Sequence, residues 1–140
     1  MADQTSPTSG TMAVAASAMQ AQQARMRIIA ENMANADSVS RTPGGDPYRR
    51  QVPVFAPTVL PDGGQGVKVA RIAQDQTPFR TQYQPGHPAA DAKGYVKMPN
   101  VDPLVEALDM REAQRAYQAN LNVVETVNAM ETATVAVLNK

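Results

Sequence analysis

Cysteine and tryptophan are both absent from this 140-residue chain, aromatic residues make up only 4% of it, and a single histidine is present. Each absence excludes something. Without cysteine there is no disulfide framework and no thiolate metal site, and the compartment is left open, since such a chain survives in oxidising and reducing surroundings alike. One histidine and no thiol remove most of the usual general bases and nucleophiles. Thirteen basic residues cancel thirteen acidic ones without a long run of either sign, which leaves no electrostatic footprint for nucleic acid or an anionic membrane. No segment approaches the ~18 apolar residues of a membrane span. The opening MADQTSPTSGT has neither a basic n-region nor an apolar h-region, so no cleavable Sec-type signal is expected. Residues 1–10 read instead as a polar, disordered tip.

The apolar fraction is 43%, but it leans on Ala and on eight Met, side chains that bury little area or pack adaptably. Such a core offsets chain entropy weakly in a lone monomer. Helical periodicity is nevertheless strong at both ends. From Met12 the 3–4 spacing runs Met12, Ala15, Met19, Gln22, Met26, Ile29, Met33, Ala36, a heptad seam. The first helix is expected over residues 11–36, inside a helical segment 11–38, with Ser9 or Thr11 as N-cap and Asn35, Asp37 and Ser38 at the exit. Arg27 and Glu31 can pair one turn apart. The face AASAMQAQQA carries no charge before Arg25, which suits contact with protein as well as water.

Breakers dominate the next stretch, residues 39–100. Nine of eleven prolines lie there, with Gly44, Gly45, Gly63, Gly64, Gly66, Gly86 and Gly94, a density no long helix survives. Extended runs at 48–55 (YRRQVPVF), 67–72 (VKVARI) and 78–83 (PFRTQY) predict a small, irregular β-hairpin unit, mobile in the isolated chain. Asp62-Gly63 is the turn signal between the first two runs. Pro53 confines its strand to an edge or a bulge. His87, in PGHP, reads as a rigid surface turn.

A second helix is expected within residues 101–140, capped by Asp102 with Pro103 at its first position and Glu106 favouring the positive end of the macrodipole. From Pro103 to Leu138 there is no further Pro and no Gly, so this helix can reach ~54 Å at ~1.5 Å per residue. Its first seam runs Ala113, Ala116, Asn120, Val123, Val127, Met130, Thr134, Val137. A second stripe, Met110, Tyr117, Leu121, Val124, Val135, Leu138, is displaced around the axis. One stripe can face the N-terminal helix, and the other requires a further partner. The fold class is therefore mainly α with a small β insertion, the two long helices forming an antiparallel, coiled-coil-like pair. Subunit contacts are expected at Met19, Met26, Ile29, Met33, Tyr117, Leu121, Val123, Val124, Val127, Met130 and Val137. Asp at Met26 or Val127 is expected to stop assembly by burying an unpaired charge.

No phosphate loop, nucleophile elbow or spaced metal cluster is present; GGQG at 63–66 lacks the spacing of a P-loop. Asp46, Asp62, Asp75 and Asp91 sit in turn contexts, where Asp serves the backbone. No enzyme, cofactor or small-molecule substrate is expected.

Two local sequences go further than composition. IIAENMANADSVSRTPGGDPYRRQ (28–51) resembles the N-terminal signature of the flagellar axial proteins, Ala30, Asn32, Met33, Ala34, Asn35 and Ala36 filling a pattern of A-x-N-x-A-N type before Pro47-Tyr48-Arg49-Arg50. GYVKMPNVDPLVEALDMREAQRAYQANLNVVET (94–126) resembles the C-terminal half of the proximal rod proteins of the flagellar basal body, marked by Gly94-Tyr95-Val96, Met98-Pro99-Asn100-Val101 and Ala116-Tyr117-Gln118-Ala119-Asn120. Asp37-Ser38 and Asp102 depart from common family residues but keep short polar cap-formers. The resemblance implies a structural subunit of the bacterial flagellar rod, exported uncleaved through the flagellar type III apparatus. It would assemble helically in the periplasm with other rod proteins and copies of itself, transmitting torque for motility. The terminal helices would form the inner tube and the β-rich middle would lie outside. Asn32, Asn35, Asn100 and Asn120 would cap helix ends or join helices. A soluble helical-hairpin adaptor or secretion chaperone is the alternative.

Overall fold

The computed structural model describes residues 7–139. The chain runs α1 (Pro7–Ala34), β1 (Gln51–Val59), β2 (Gln65–Gln74), β3 (Arg80–Tyr83), β4 (Tyr95–Met98) and α2 (Pro103–Leu138). The expectation of two long terminal helices around a small β region holds. α1 begins at Pro7, so residues 7–10 of the expected disordered tip are helical, while residues 1–6 lie outside the described residues. α2 starts as read: the Asp102 side chain accepts the Leu104 N–H at 3.0 Å, and Pro103 opens the helix, where a missing N–H leaves no bond unmade.

β1 and β2 form a two-stranded antiparallel ribbon joined by the turn at Pro61, Asp62 and Gly63. The Gly63 N–H reaches the Leu60 carbonyl at 2.9 Å, the Leu60 N–H reaches the Gly64 carbonyl at 2.8 Å, and Gly63 sits at φ 80°. That is the left-handed position a three-residue hairpin loop reserves for glycine. β1 is shifted toward the C-terminus of the expected run 48–55, residues 48–50 lying outside the strand, and β2 extends beyond the expected 67–72 at both ends. A register shift between Val54 and Phe55 supplies the bulge. The Asp75 N–H bonds the Arg50 carbonyl at 2.9 Å; counting inward, Pro53 and Pro57 occupy the wide pairs opposite Ile72 and Val67, so their missing N–H groups fall on the outer edge of β1.

The smaller sheet pairs β3 with β4. β4 was not expected as a strand, and its Tyr95 stacks edge-on against Tyr83 at 5.2 Å between centroids. His87 lies in a turn, its Nδ1 accepting the Ala89 N–H at 3.0 Å, in keeping with a structural role.

α1 lies between the ribbon and α2. Toward α2, Arg25 meets Glu112 and Gln23 meets Tyr117, while Asn32 meets Glu106, so the helices run in opposite directions. Toward the ribbon, Ser17 Oγ accepts the Val67 N–H at 3.2 Å, and Asn32 holds Gln51. One contact engages the outer edge of β2 and the other the outer edge of β1, so the ribbon crosses α1 obliquely. The uncharged stretch of α1 is thus partly covered by the chain's own ribbon and by α2, while Ala16, Gln20 and Gln23 stay exposed. Ala15, Ser17 and Ala21 are buried there or against α2, and small side chains permit the close approach. At the ribbon's tip a Cβ on Gly66 would stand 2.6 Å from Ser17 Oγ, so any larger residue there must displace that side chain.

The resulting core is thin: Ile28, Ile29, Val96, Val101, Val127 and a set of alanines. Accessible surface totals 9372 Å² for 15.0 kDa, against about 7000 Å² for a compact monomer of that mass. No helix among the described residues is long and apolar enough to cross a membrane.

Candidate functional site

Two features stand out: a polar joint that binds the ribbon to both helices, and apolar side chains that α2 leaves uncovered. The joint centres on Asn32, 1% exposed. Its Oδ1 accepts the Gln51 N–H and the Tyr48 hydroxyl, both at 2.9 Å. Its Nδ2 donates to the Gln51 carbonyl at 2.8 Å and to Glu106 Oε2 at 3.2 Å. All four hydrogen-bonding positions of the carboxamide are filled, and its two bonds to Gln51 imitate a neighbouring strand. Asn32 therefore joins α1 to the base of β1, beyond the helix-end role expected of it.

Glu106 is fully buried, on the first turns of α2. Its Oε1 accepts Arg50 Nε in a short contact. The Arg50 guanidinium also reaches Asp109 Oδ2 at 3.2 Å and Asp75 Oδ2 at 3.4 Å. Burial pulls the guanidinium pKa down, but the Glu106 carboxylate and then Asp75 and Asp109 outweigh it and hold it above its ordinary value. A buried carboxylate with its cation and a neutral donor is satisfied; stripped of either, it is not. Asp75 lies below the usual carboxylate range because the Thr77 hydroxyl and N–H, and then Arg50, favour the anion. Tyr48 is pushed up, first by burial, then by Glu31 and Glu106. Asn100 closes the far side: its Oδ1 accepts the Arg50 N–H at 2.7 Å, and its Nδ2 donates to the Asp75 and Thr77 carbonyls, both at 3.0 Å. Pro99 beside it is buried. A cavity of about 220 Å³ opens next to the joint, lined by Arg25, Ile29, Val52, Phe55 and Asp109 among others.

The remaining expected site residues divide. Asn35 Nδ2 donates to the Glu31 carbonyl at 2.9 Å, a helix-end bond, and Asn120 Nδ2 to the Ala116 carbonyl of its own helix at 2.8 Å. Ile29 and Val127 are buried; Met19, Met26, Tyr117, Leu121 and Val124 are half-buried. Met33 is 40% exposed, Val123 41%, Met130 58% and Val137 74%. The expected α2 seam shares Ala113, Ala116, Asn120 and Val127 with the covered face, but Val123 and Met130 are exposed, and Tyr117, Val124 and Glu131 are less so. Arg27 and Glu31 pair as expected, at 3.8 Å on the surface.

Arg50, Asp75 and Asp109 were not singled out from sequence as partners, and Glu106 was read for its place at the helix start alone. The available signal was a lone carboxylate flanked by Leu104, Val105, Ala107 and Leu108, a context in which an acid needs a partner.

Among the described residues no group of three or more His, Cys, Asp or Glu is placed to hold a metal ion. Comparison with known proteins bears on the two termini and on most of the chain. Residues 12–41 match the family model described as flagella basal body rod protein, and residues 92–136 the one described as flagellar basal body rod FlgEFG protein C-terminal. The chain is 44% identical over 133 residues to the flagellar basal-body rod protein FlgC of Agrobacterium fabrum, covering 94% of this chain and 96% of that one. It is 48% identical over 118 residues to the protein of the same name from Escherichia coli, covering 84% and 87%. Against that of Bacillus subtilis it is 35% identical over 133 residues, covering 84% and 89%.

Proposed function

The chain belongs to the FlgC family of flagellar basal-body rod proteins, and from that premise we propose that it polymerises helically with other rod proteins and with copies of itself to carry motor torque to the hook and filament. It is a structural subunit of the rod, and its site is a set of surfaces. The observation that carries the reading is the set of apolar side chains that α2 leaves uncovered toward its C-terminal end on both of its stripes, with Met130 58% and Val137 74% exposed on one and Val135 56% and Leu138 79% on the other. A free monomer gains nothing from such a set. A subunit placed among neighbours buries it, and contacts that do not close on themselves build filaments. The accessible surface, about a third above that of a compact protein of this mass, points the same way.

In this reading the α1–α2 pair is a coiled coil that continues across subunits as the inner tube, with the ribbon outside. The chain reaches the periplasm uncleaved through the flagellar export apparatus, consistent with a thin core of small side chains that unfolds readily. Torque then passes through helix contacts, and motility depends on them.

The structure redirects the choice of test. Val127 is 7% exposed, within reach of its own chain's contacts, so Asp there unfolds the subunit as well as the assembly. Met130→Asp with Val137→Asp charges exposed positions instead. The expected result is wild-type helical circular dichroism of the purified subunit, with normal secretion but no rod and no swimming. Intact rods and motility in that double variant would overturn the assignment of these side chains to the subunit contact.

A further inference from the structure

The ribbon has two faces, and the chain itself uses only one of them. Gly66 sets the directions, because a Cβ there would point at Ser17 Oγ on α1. Thr58 stands opposite Gly66, and strand alternation puts Val52, Val54 and Ala56 on the same inner face; all four are half-buried. The intervening positions look away from α1: Phe55, Pro57 and Val59 on β1, and Val67, Val69 and Ile72 on β2. Glutamines fill the ends of this outer face. The two charges of the strands, Lys68 and Arg71, pair with Ala56 and Val54 and so fall on the other side. Val59 is 76% exposed, Ile72 46% and Phe55 38%, and among the described residues the ribbon packs on no helix or strand other than α1. α1 is also incompletely covered. Between the flank held by the ribbon and the flank held by α2, Ala16, Gln20 and Gln23 stay exposed a turn apart, in a stretch without charge before Arg25. That stretch is ~10 Å long, the width of a two-stranded ribbon whose strands lie ~4.8 Å apart.

We propose that the outer face of the β1–β2 ribbon docks on the uncovered Ala16–Gln23 stretch of α1 in the adjacent copy of this chain, so that each α1 lies between its own ribbon and a neighbour's. This rests on the rod reading above and names one of its contacts. A second copy is the occupant because its α1 already accepts a ribbon of this sequence on the neighbouring flank, where Ala15, Ser17 and Ala21 are buried. Neither surface carries a charge for a charged partner to answer. A ribbon laid on the next copy's α1 leaves that copy's own ribbon free to do the same, so the contact repeats without closing. Six apolar side chains, several of them half-buried already, offer less than the ~800 Å² per partner of a self-sufficient interface. The contact therefore forms within the growing polymer and not between free chains.

The chain has no cysteine, so introduced pairs report contacts without background, and a disulfide requires Cα atoms within about 7 Å. Val59→Cys or Ile72→Cys is combined with Ala16→Cys, Gln20→Cys or Gln23→Cys in the full chain, which replaces the unsubstituted one in cells. Isolated basal bodies are then oxidised and run on non-reducing gels. At least one of these pairs is expected to give a ladder of covalent multimers, each copy linked to the one before and the one after, while every single variant runs as monomer. Rods that assemble but give no ladder from any pair overturn the proposal and leave the rod reading intact. So do dimers from Val59→Cys or Ile72→Cys alone, which would mark a contact between two ribbons. Absence of the chain from isolated basal bodies overturns both. Where a double variant fails to assemble, its two cysteines are placed on separate copies supplied together with the unsubstituted chain. A covalent dimer from those mixed rods supports the contact, and its absence overturns it.

Discussion

Asn32→Asp changes one NH₂ for one oxygen and leaves the shape of the side chain intact, so its effect isolates the joint's donors. The two bonds accepted by Oδ1, from Gln51 and Tyr48, survive. The two made by Nδ2 do not, and the new oxygen faces Glu106 Oε2 across a gap that measures 3.2 Å in the native pair. Two carboxylates at that separation cannot both ionise. Holding a proton on the introduced carboxyl at pH 7, about three units above its ordinary value, costs at most ~4 kcal/mol at ~1.4 kcal/mol per unit. The stranded Gln51 carbonyl adds about 1 kcal/mol. A loss of about 4–5 kcal/mol at neutral pH is therefore expected, a large part of a typical ~5–15 kcal/mol stability. The sign of the pH dependence follows from linkage. A carboxyl whose folded pKa is raised stabilises the fold below its unfolded value and loses that contribution as pH climbs through the folded one. Near pH 4 the introduced carboxyl, once protonated, can donate to Glu106, and the deficit should shrink to about 1–2 kcal/mol. Asn32→Ala, which lacks a titrating group, should lose about 3–5 kcal/mol at both pH values. Urea titrations followed by circular dichroism, with each variant referred to the unsubstituted chain at the same pH, measure all of this. Equal deficits for the Asn32→Asp variant at pH 4 and pH 7, or a neutral-pH deficit below about 1 kcal/mol, would refute the closed-carboxamide account.

Gly66→Ala places its Cβ against Ser17 Oγ and Leu60 and should lower stability by about 1–3 kcal/mol through displacement of the ribbon tip. Adding Ser17→Ala should return part of that loss in thermal melts, and failure to do so would locate the strain elsewhere. Tyr48, held above its ordinary pKa by burial and then by Glu31 and Glu106, stabilises the fold below its unfolded value, a contribution lost as pH rises through the folded one. Tyr48→Phe should abolish that alkaline phase in melts taken across it and remove about 1 kcal/mol at neutral pH, the worth of the hydroxyl bond to Asn32.

The ends of the fold were legible in the sequence because helix rules are local. Asp102, Pro103 and an uninterrupted run to Leu138 define α2 without reference to anything else, and Pro61-Asp62-Gly63 does the same for the turn of the ribbon. The rotational setting of α2 was not. Two apolar stripes lie a residue apart, at Ala116 and Val123 or at Tyr117 and Val124; Ala116, Tyr117 and Val124 are half-buried and Val123 is exposed, a setting that only the neighbouring helix decides. Strand β4 escaped for a related reason: four residues pair with Arg80–Tyr83 across a long loop, and nothing local announces it. The alanine-rich stretch of α1 was legible as a protein-facing surface, but the ribbon and α2 that cover part of it belong to the same chain. Asn32 was marked by the family pattern, whereas its partners Arg50 and Glu106 carry no periodicity; opposite charges 56 residues apart acquire meaning only when the chain folds.

The placement of Pro53 and Pro57 has a bearing on how a subunit that polymerises as proposed above avoids associating wrongly. A free strand margin invites any other strand, in any register, and the product is amyloid-like aggregate. Here alternate donors along that margin have been deleted, so indiscriminate sheet extension is discouraged along it. The adhesive surface of α2 is helical, and helices interlock only at particular angles and offsets. Under the proposed assembly, the chain can thus be adhesive and still grow in one geometry.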